Sequence, residues 1–465
     1  MDDLLLYGPA RRRAGRTRRA LIAAAAGAAV LGGTLAPAAR ERAAAPGPAA
    51  GAPGAVAAVV PAALPGLTAL IGEREARVRA DPRDARSWAV LGAAYAEQGR
   101  RTADPAYFPR AERALRTSLE VAPRRNADAA EGLAALAVAR RDFPSAKRWG
   151  EVARALEPER WTVHALLIDA YTGLGDHKAA GRSLDRLTGL RSGPAVMARA
   201  AAVHRDRGRR EDAAAGIADA AALAEAPAER AAYLERAGQL AFERGDRQAA
   251  LRYFEQALRT DPGQWAAQAG QGRALAALGR TTQALTVYQA ALARWPCPAV
   301  ALELGELYES LGLERAARAQ YDLLRALVRE AAAGGADEEL VLGLFEADHG
   351  DPEAAVRRLR EEWRRQPGTA VADALGWALH RAGRDEEALG FARTATEGER
   401  GGGVRSAPYS YHRGMIERGL ERYGSARRHL REALRINPYF SPLHAPEARR
   451  ALRALGEPSE EGPPE

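Results

Sequence analysis

Residues 231–262 read AAYLERAGQLAFERGDRQAALRYFEQALRTDP, and residues 265–296 read WAAQAGQGRALAALGRTTQALTVYQAALARWP. Superposed, they share Gly238/Gly272, Gly245/Gly279, Ala250/Ala284, Phe254/Tyr288, Ala257/Ala291 and Pro262/Pro296, every pair 34 positions apart. Self-similarity at a fixed period of this length marks a stacked array, in which each unit is one supersecondary element that cannot bury its apolar face alone. Helix-forming residues fill each unit, and the glycine and proline sit where a helix must turn or stop.

The period continues on both sides. Upstream, Trp88, Leu91, Gly92 and Tyr95 open a unit closing at Pro123, seven residues longer than its neighbours, with the surplus near residues 101–109 (RTADPAYFP). Leu133, Ala146, Ala153 and Pro158 mark the next, Leu167, Tyr171, Gly175 and Ala180 a third, and a degenerate fourth keeps Gly208, Ala213 and Ala220. Downstream come Leu304, Gly305, Tyr308, Gly312, Ala317 and Tyr321, then Gly343, Gly350, Ala355 and Pro367, then Leu375, Gly376, Gly383 and Ala388, and finally Gly414, Ala426, Ala433 and Pro438. Besides the long first turn, interruptions fall at residues 331–337 and at residues 398–408 (GERGGGVRSAP), the latter a hinge or an exposed loop.

This pattern resembles the tetratricopeptide repeat (TPR) family, and more narrowly the envelope-associated TPR proteins of high-GC actinobacteria. The resemblance spans residues 67–440 and implies an all-α, right-handed superhelical solenoid of about ten helix-turn-helix units. In each unit the first glycine (Gly238, Gly272, Gly305) and the alanine (Ala250, Ala284, Ala317) lie where helices A and B meet. The aromatic (Phe254, Tyr288) fills the gap between hairpins, Pro262 or Pro296 stops helix B, and Tyr308 is a further residue that defines the third strong unit. Residues 67–80 read as a lone first helix and residues 441–456 as a capping helix, since end repeats need a solvating cap. Residues 457–465 (EPSEEGPPE) read as a disordered acidic tail. In residues 436–446, INPYFSPLHAP, helix is interrupted, and Tyr439 and Phe440 are expected to seal the last unit or to form an exposed recognition segment.

The front end reads differently. Residues 11–19 are RRRAGRTRR, and residues 20–39 are free of charge. A basic segment (1–19), an apolar stretch (20–39) and the small-residue site Ala36-Pro37-Ala38 form the pattern of an export signal. Residues 17–22, TRRALI, resemble a twin-arginine signal. Left uncleaved, the same stretch would be a single transmembrane anchor with the N-terminus cytoplasmic. Residues 40–66 read as an Ala/Pro/Gly linker in which proline and glycine prevent a sustained helix. The expected location of the repeats is therefore outside the cytoplasm, secreted or anchored to the outer face of the membrane.

Net charge is +8, but residues 1–42 carry eight arginines against Asp2, Asp3 and Glu41, so only +3 remains for the folded body. A nucleic-acid footprint is a patch or stripe on the folded surface, and none is expected. Cys297 is the only cysteine, which excludes an intramolecular disulfide and a cysteine-based metal site. Between Pro296 and Pro298 it is expected in an inter-repeat turn. The sequence contains no HExxH, GxSxG or GxxxxGK[ST] motif, and no two histidines are spaced as a helical metal pair. Gly270-Gln271-Gly272 starts like a dinucleotide loop but lies inside a helix. No catalysis, metal or cofactor is expected.

The family resemblance places ligands on the concave face, at the second, fifth, ninth, twelfth and thirteenth positions of each unit. These are alanine early (Ala89, Ala93, Ala96, Ala195, Ala198, Ala202) and polar in the middle (Glu235, Gln239, Glu243, Arg273, Glu306, Glu309). Towards the C-terminus they are Asp373, Trp377, His380, Arg381, Tyr411, Met415 and Arg418. This last set is the candidate partner-binding groove, because aromatics and arginine anchor interfaces; alternatively Trp377 and Tyr411 pack the last repeats together. The lysine/asparagine clamp for a terminal carboxylate is absent. The expected function is a non-catalytic scaffold for a protein or peptide partner. The alternatives are an accessory subunit of an envelope enzyme and a cytoplasmic peptide-sensing regulator.

Overall fold

In a computed structural model of the protein, the residues described, 63–398 and 403–456, form twenty-two α-helices and no strand. Helix α1 (Leu64–Ala80) precedes ten hairpins. They are α2 (Ala85–Thr102) with α3 (Tyr107–Val121), α4 (Ala127–Ala139) with α5 (Phe143–Leu156), α6 (Trp161–Gly173) with α7 (His177–Leu190), and α8 (Pro194–Asp206) with α9 (Arg210–Leu223). Next come α10 (Pro227–Glu243) with α11 (Arg247–Thr260), α12 (Trp265–Ala277) with α13 (Thr281–Arg294), and α14 (Pro298–Ser310) with α15 (Glu314–Ala333). The array ends with α16 (Glu339–His349) and α17 (Pro352–Arg365), α18 (Thr369–Arg381) and α19 (Asp385–Thr396), α20 (Ala407–Gly419) and α21 (Tyr423–Ile436), then α22 (His444–Ala454). The degenerate fourth unit thus folds as an ordinary hairpin. The expected export segment, most of the linker, the tail and residues 399–402 of the expected hinge lie outside the residues described. No helix among those described is long and apolar enough to cross a membrane.

Each turn from first to second helix is built locally. Gly245 adopts φ +82°, a left-handed conformation that a Cβ makes costly. The following Asp246 then caps α11 by accepting a hydrogen bond from the Ala249 amide at 2.9 Å. Asp142 and Asp176 cap α5 and α7 in the same way.

The repeat signature is a glycine-on-ring contact. A Cβ on Gly238 would stand 2.6 Å from the Phe254 ring. Gly270, on the first helix of the next hairpin, meets the same atoms of that ring. Phe254 is fully buried and therefore links two hairpins. Gly272 on Tyr288 and Gly305 on Tyr321 repeat the arrangement. The Gly270–Gly272 pair is a packing device, which disposes of its likeness to a dinucleotide loop.

Two expectations are corrected. Helix α1 starts at Leu64, inside the expected linker, because Pro65 occupies the first turn, where its missing N–H is no loss. The surplus of the first unit also does not all form a turn: α2 runs 18 residues, against 13 in α4, before breaking at Ala103 with φ +52°.

First helices pack on first helices of neighbouring hairpins, giving an inner layer from α2 to α20 with the second helices outside. Hairpins far apart in sequence also meet. The Asp337 amide donates to the Arg140 carbonyl at 2.8 Å, and Asn437 Nδ2 donates to the Phe242 carbonyl at 2.8 Å. Arg101 pairs with Asp261 at 2.6 Å, Arg141 with Glu338 at 2.8 Å, and His177 Nε2 lies 3.1 Å from Thr369 Oγ1. The array therefore touches itself after roughly five to six hairpins.

Candidate functional site

Asp373, Trp377 and Arg381 are four residues apart on α18, and Tyr411, Met415 and Arg418 fall on one stripe of α20. These helices are adjacent in the inner layer, so all seven residues singled out in the sequence are brought together. Their exposures differ sharply. Trp377 is 1% and Tyr411 0% exposed, whereas Arg381 and Arg418 are on the surface. The two aromatics are not open groove anchors: the second of the two sequence readings, packing of the last repeats, describes them.

The cause is α22. Its first residue, His444, stacks on Tyr411 at 5.0 Å between ring centroids and meets Trp377 edge-on at 5.6 Å. Phe440, in the connection before α22, lies 5.5 Å from Tyr411. His412 stacks on Trp377 at 4.4 Å, meets His444 edge-on at 6.2 Å and is held by Asp373, 2.9 Å from its Nδ1. The sequence reading assigned no role to His412, His444 or Asp348, because the isolated histidines meet only in three dimensions.

The cluster's polar atoms are satisfied within it. Trp377 Nε1 donates to Asp348 at 3.0 Å, and the Tyr411 hydroxyl donates to Glu447 at 2.8 Å. Burial works against charge on His444, but its hydrogen bond and charge pairing with Asp348, 3.5 Å away, raise its pKa above the ordinary histidine value. Burial likewise opposes ionisation of Asp348, yet the His444 contact outweighs it and holds the carboxyl below its usual range. Burial, reinforced by Glu447, pushes the Tyr411 phenol up.

Beside this core lies an opening of about 730 Å³ that three of the seven residues line, His380, Met415 and Arg418, together with Tyr423, Arg427 and Leu455. Tyr423 is 50% exposed. Arg427 is engaged with the carbonyls of Leu455 and Gly456, both at 2.8 Å. Arg418 has no carboxylate partner among the described residues.

The middle of the inner layer contrasts with this. Arg205 on α8 makes a two-pronged bond to Glu243 on α10 at 2.8 and 2.7 Å. Gln239 donates to Glu243 at 3.0 Å, and Arg273 on α12 donates to Gln239 at 2.6 Å and to Glu303 at 3.1 Å. Of the polar residues expected to face a ligand there, Gln239, Glu243 and Arg273 are joined into one ladder. Glu309 is engaged by the Tyr321 hydroxyl and His349. Burial depresses Arg236, with Arg199 nearby adding to the effect. Among the described residues no group of three or more His, Cys, Asp or Glu is placed to hold a metal ion. Cys297 is the residue before α14, as expected of an inter-repeat turn, and burial pushes its thiol up.

A tetratricopeptide repeat family model matches residues 235–296 and 270–336. Comparison with curated proteins gives no match. Among solved structures, the chain is similar to the human IFIT1 dimer with PPP-AAAA, at 18% identity and TM-score 0.46, over 67% of this chain and 72% of that one. It is similar to yeast Tom70 at 14% identity and TM-score 0.37, over 84% and 88%. It is also similar to a tetratricopeptide repeat protein from Parabacteroides merdae, at 17% identity and TM-score 0.33, over 56% and 98%.

Proposed function

We propose, from the premise that this chain is a tetratricopeptide-repeat protein, that it is a non-catalytic scaffold binding an acidic, partly apolar segment of another protein at the opening beside α20, outside the cytoplasmic membrane. Such repeats generally mediate protein–protein interaction. The observation that carries the assignment to this opening is Arg418, exposed and without a carboxylate partner among the described residues, beside Met415, Tyr423 and Leu455. An exposed guanidinium is weakly hydrated and forks onto carboxylates, and the adjoining apolar side chains supply area to exclude water around the pair. In the middle ladder, by contrast, arginines are already paired. The location outside the membrane rests on the basic and apolar pattern of residues 11–39.

The experiment is crosslinking on intact cells with a membrane-impermeant reagent, comparing the wild type with Arg418→Glu/Tyr423→Ala, whose fold is checked by circular dichroism. A protein captured by the wild type and lost from the folded double variant supports both site and location. Equal capture by the two removes the site. Capture only after lysis removes the location and favours a cytoplasmic regulator.

A further inference from the structure

Two departures from the 34-residue period, the long first turn at residues 101–109 and the loop at residues 331–337, found no role in the scaffold reading, and neither did the regular inter-repeat turn Pro296-Cys297-Pro298. The first ends 187 positions before Pro296, yet all three line one cavity of about 710 Å³ between distant hairpins. Thr102, Ala103, Asp104 and Pro105 form one wall, Ala331 and Ala336 another, and residues 296–298 a third. The first two meet at an edge, where a Cβ on Gly334 would stand 2.5 Å from the Pro105 carbonyl oxygen. The surplus residues thus prop the two parts of the array around a space, where regular repeats have only short turns.

The lining is chiefly apolar. Phe108, Trp265, Trp295, Val138 and Leu327 supply its large hydrophobic surfaces. Its three arginines are matched by three carboxylates. Arg141 and Glu338 pair at 2.8 Å, Arg100 is held by Glu97 at 2.6 Å, and Arg294 lies over the Trp295 ring at 4.2 Å. The walls therefore offer no net charge to attract an ionic ligand. Water in a space with these walls finds few hydrogen-bond partners, so an apolar occupant that displaces it is favoured. A half-closed space of this volume, with aromatic walls and a few fixed polar groups, has the character of a small-molecule site.

We propose that this inter-hairpin cavity binds an uncharged, largely apolar small molecule with a planar ring, held between the two parts of the array. Bound there, it also ties α2 and the 103–106 turn to α12 and α15, so occupancy couples to the contact between distant hairpins.

The test uses the full chain and Nile red, an uncharged planar dye. The expected result is saturable binding of one dye per chain with blue-shifted emission. Cys297 lines the cavity, so its alkylation by N-ethylmaleimide should slow roughly tenfold at a dye concentration ten times the Kd. Two variants that fill the space, Ala139→Phe on α4 and Ala336→Trp in the 331–337 loop, should each lose the site while keeping the wild-type circular dichroism spectrum. If either fails to fold, the other variant and the Cys297 protection of the wild type decide the matter. Absence of saturable binding overturns the proposal. So does binding that persists in the folded, filled variants or leaves Cys297 labelling unchanged.

Discussion

Replacing Gly175 by alanine should cost the protein more than replacing Gly279 by alanine, although both glycines end a first helix in the same left-handed conformation, φ +70° and +75°. The shared part is the left-handed penalty of about 1–2 kcal/mol, offset by about 0.4–1 kcal/mol from the reduced freedom of the unfolded chain. Gly279 therefore loses roughly 1 kcal/mol. Around it there is open space, but a Cβ on Gly175 would stand 2.6 Å from the Pro367 carbonyl oxygen in a distant hairpin. A backbone carbonyl has no rotamer to change, so the two hairpins must separate. That separation stretches the His177–Thr369 contact, 3.1 Å in the native protein, whose loss adds about 0.5–1.5 kcal/mol. Gly175→Ala should thus lose roughly 2 kcal/mol or more in total. Repeat arrays open in parts, so a single melting point is a poor measure. The assay is amide hydrogen exchange resolved by segment, with urea unfolding followed by circular dichroism as a check. Gly175→Ala should accelerate exchange at residues 366–372 selectively, whereas Gly279→Ala should leave that segment unchanged. Equal losses for the two variants, with no selective exchange at 366–372, would refute the contact between these hairpins and the argument built on it.

Three further predictions follow from the burial and pairing of particular groups. Trp377→Ala should destabilise the last repeats by about 3–5 kcal/mol, while Arg418→Ala should stay within about 0.5 kcal/mol of wild type; urea titrations of both separate core from surface. The His444–Asp348 pair should make stability depend on pH at both ends. The raised His444 contributes fully below the unfolded histidine pKa of 6.5 and its contribution is lost as pH rises through the folded value, whereas the lowered Asp348 contributes above 3.8 and is lost as pH falls through its folded value. Thermal melts across pH should therefore show the alkaline-side loss in wild type and lack it in His444→Gln; an identical profile in both would count against the pairing. Phe254→Ala should cost about 3–5 kcal/mol and raise amide exchange in α10 and α12 together, because its ring fills both Gly238 and Gly270; exchange confined to one hairpin would show that the ring does not couple them.

What could be read from the sequence is what is decided within one unit or between neighbours. A left-handed glycine, an aspartate cap and an aromatic facing a glycine act over at most a few turns of helix, so their spacing shows the hairpins directly. Gly238, Phe254 and Gly272 have the packing roles their period implies. The contacts at Gly175 and Gly368, the burial of Trp377 and Tyr411, and the meeting of residues 101–109 with residues 331–337 follow another rule. They depend on the rotation accumulated from hairpin to hairpin, where small deviations at each interface add over five or six units before two segments meet. A groove position counted along α18 does not reveal that α22 returns to cover it. Position in the repeat was thus set by local stereochemistry and legible in the chain, whereas exposure, which leaves Arg418 on the surface and covers Trp377, was set by how the whole array winds.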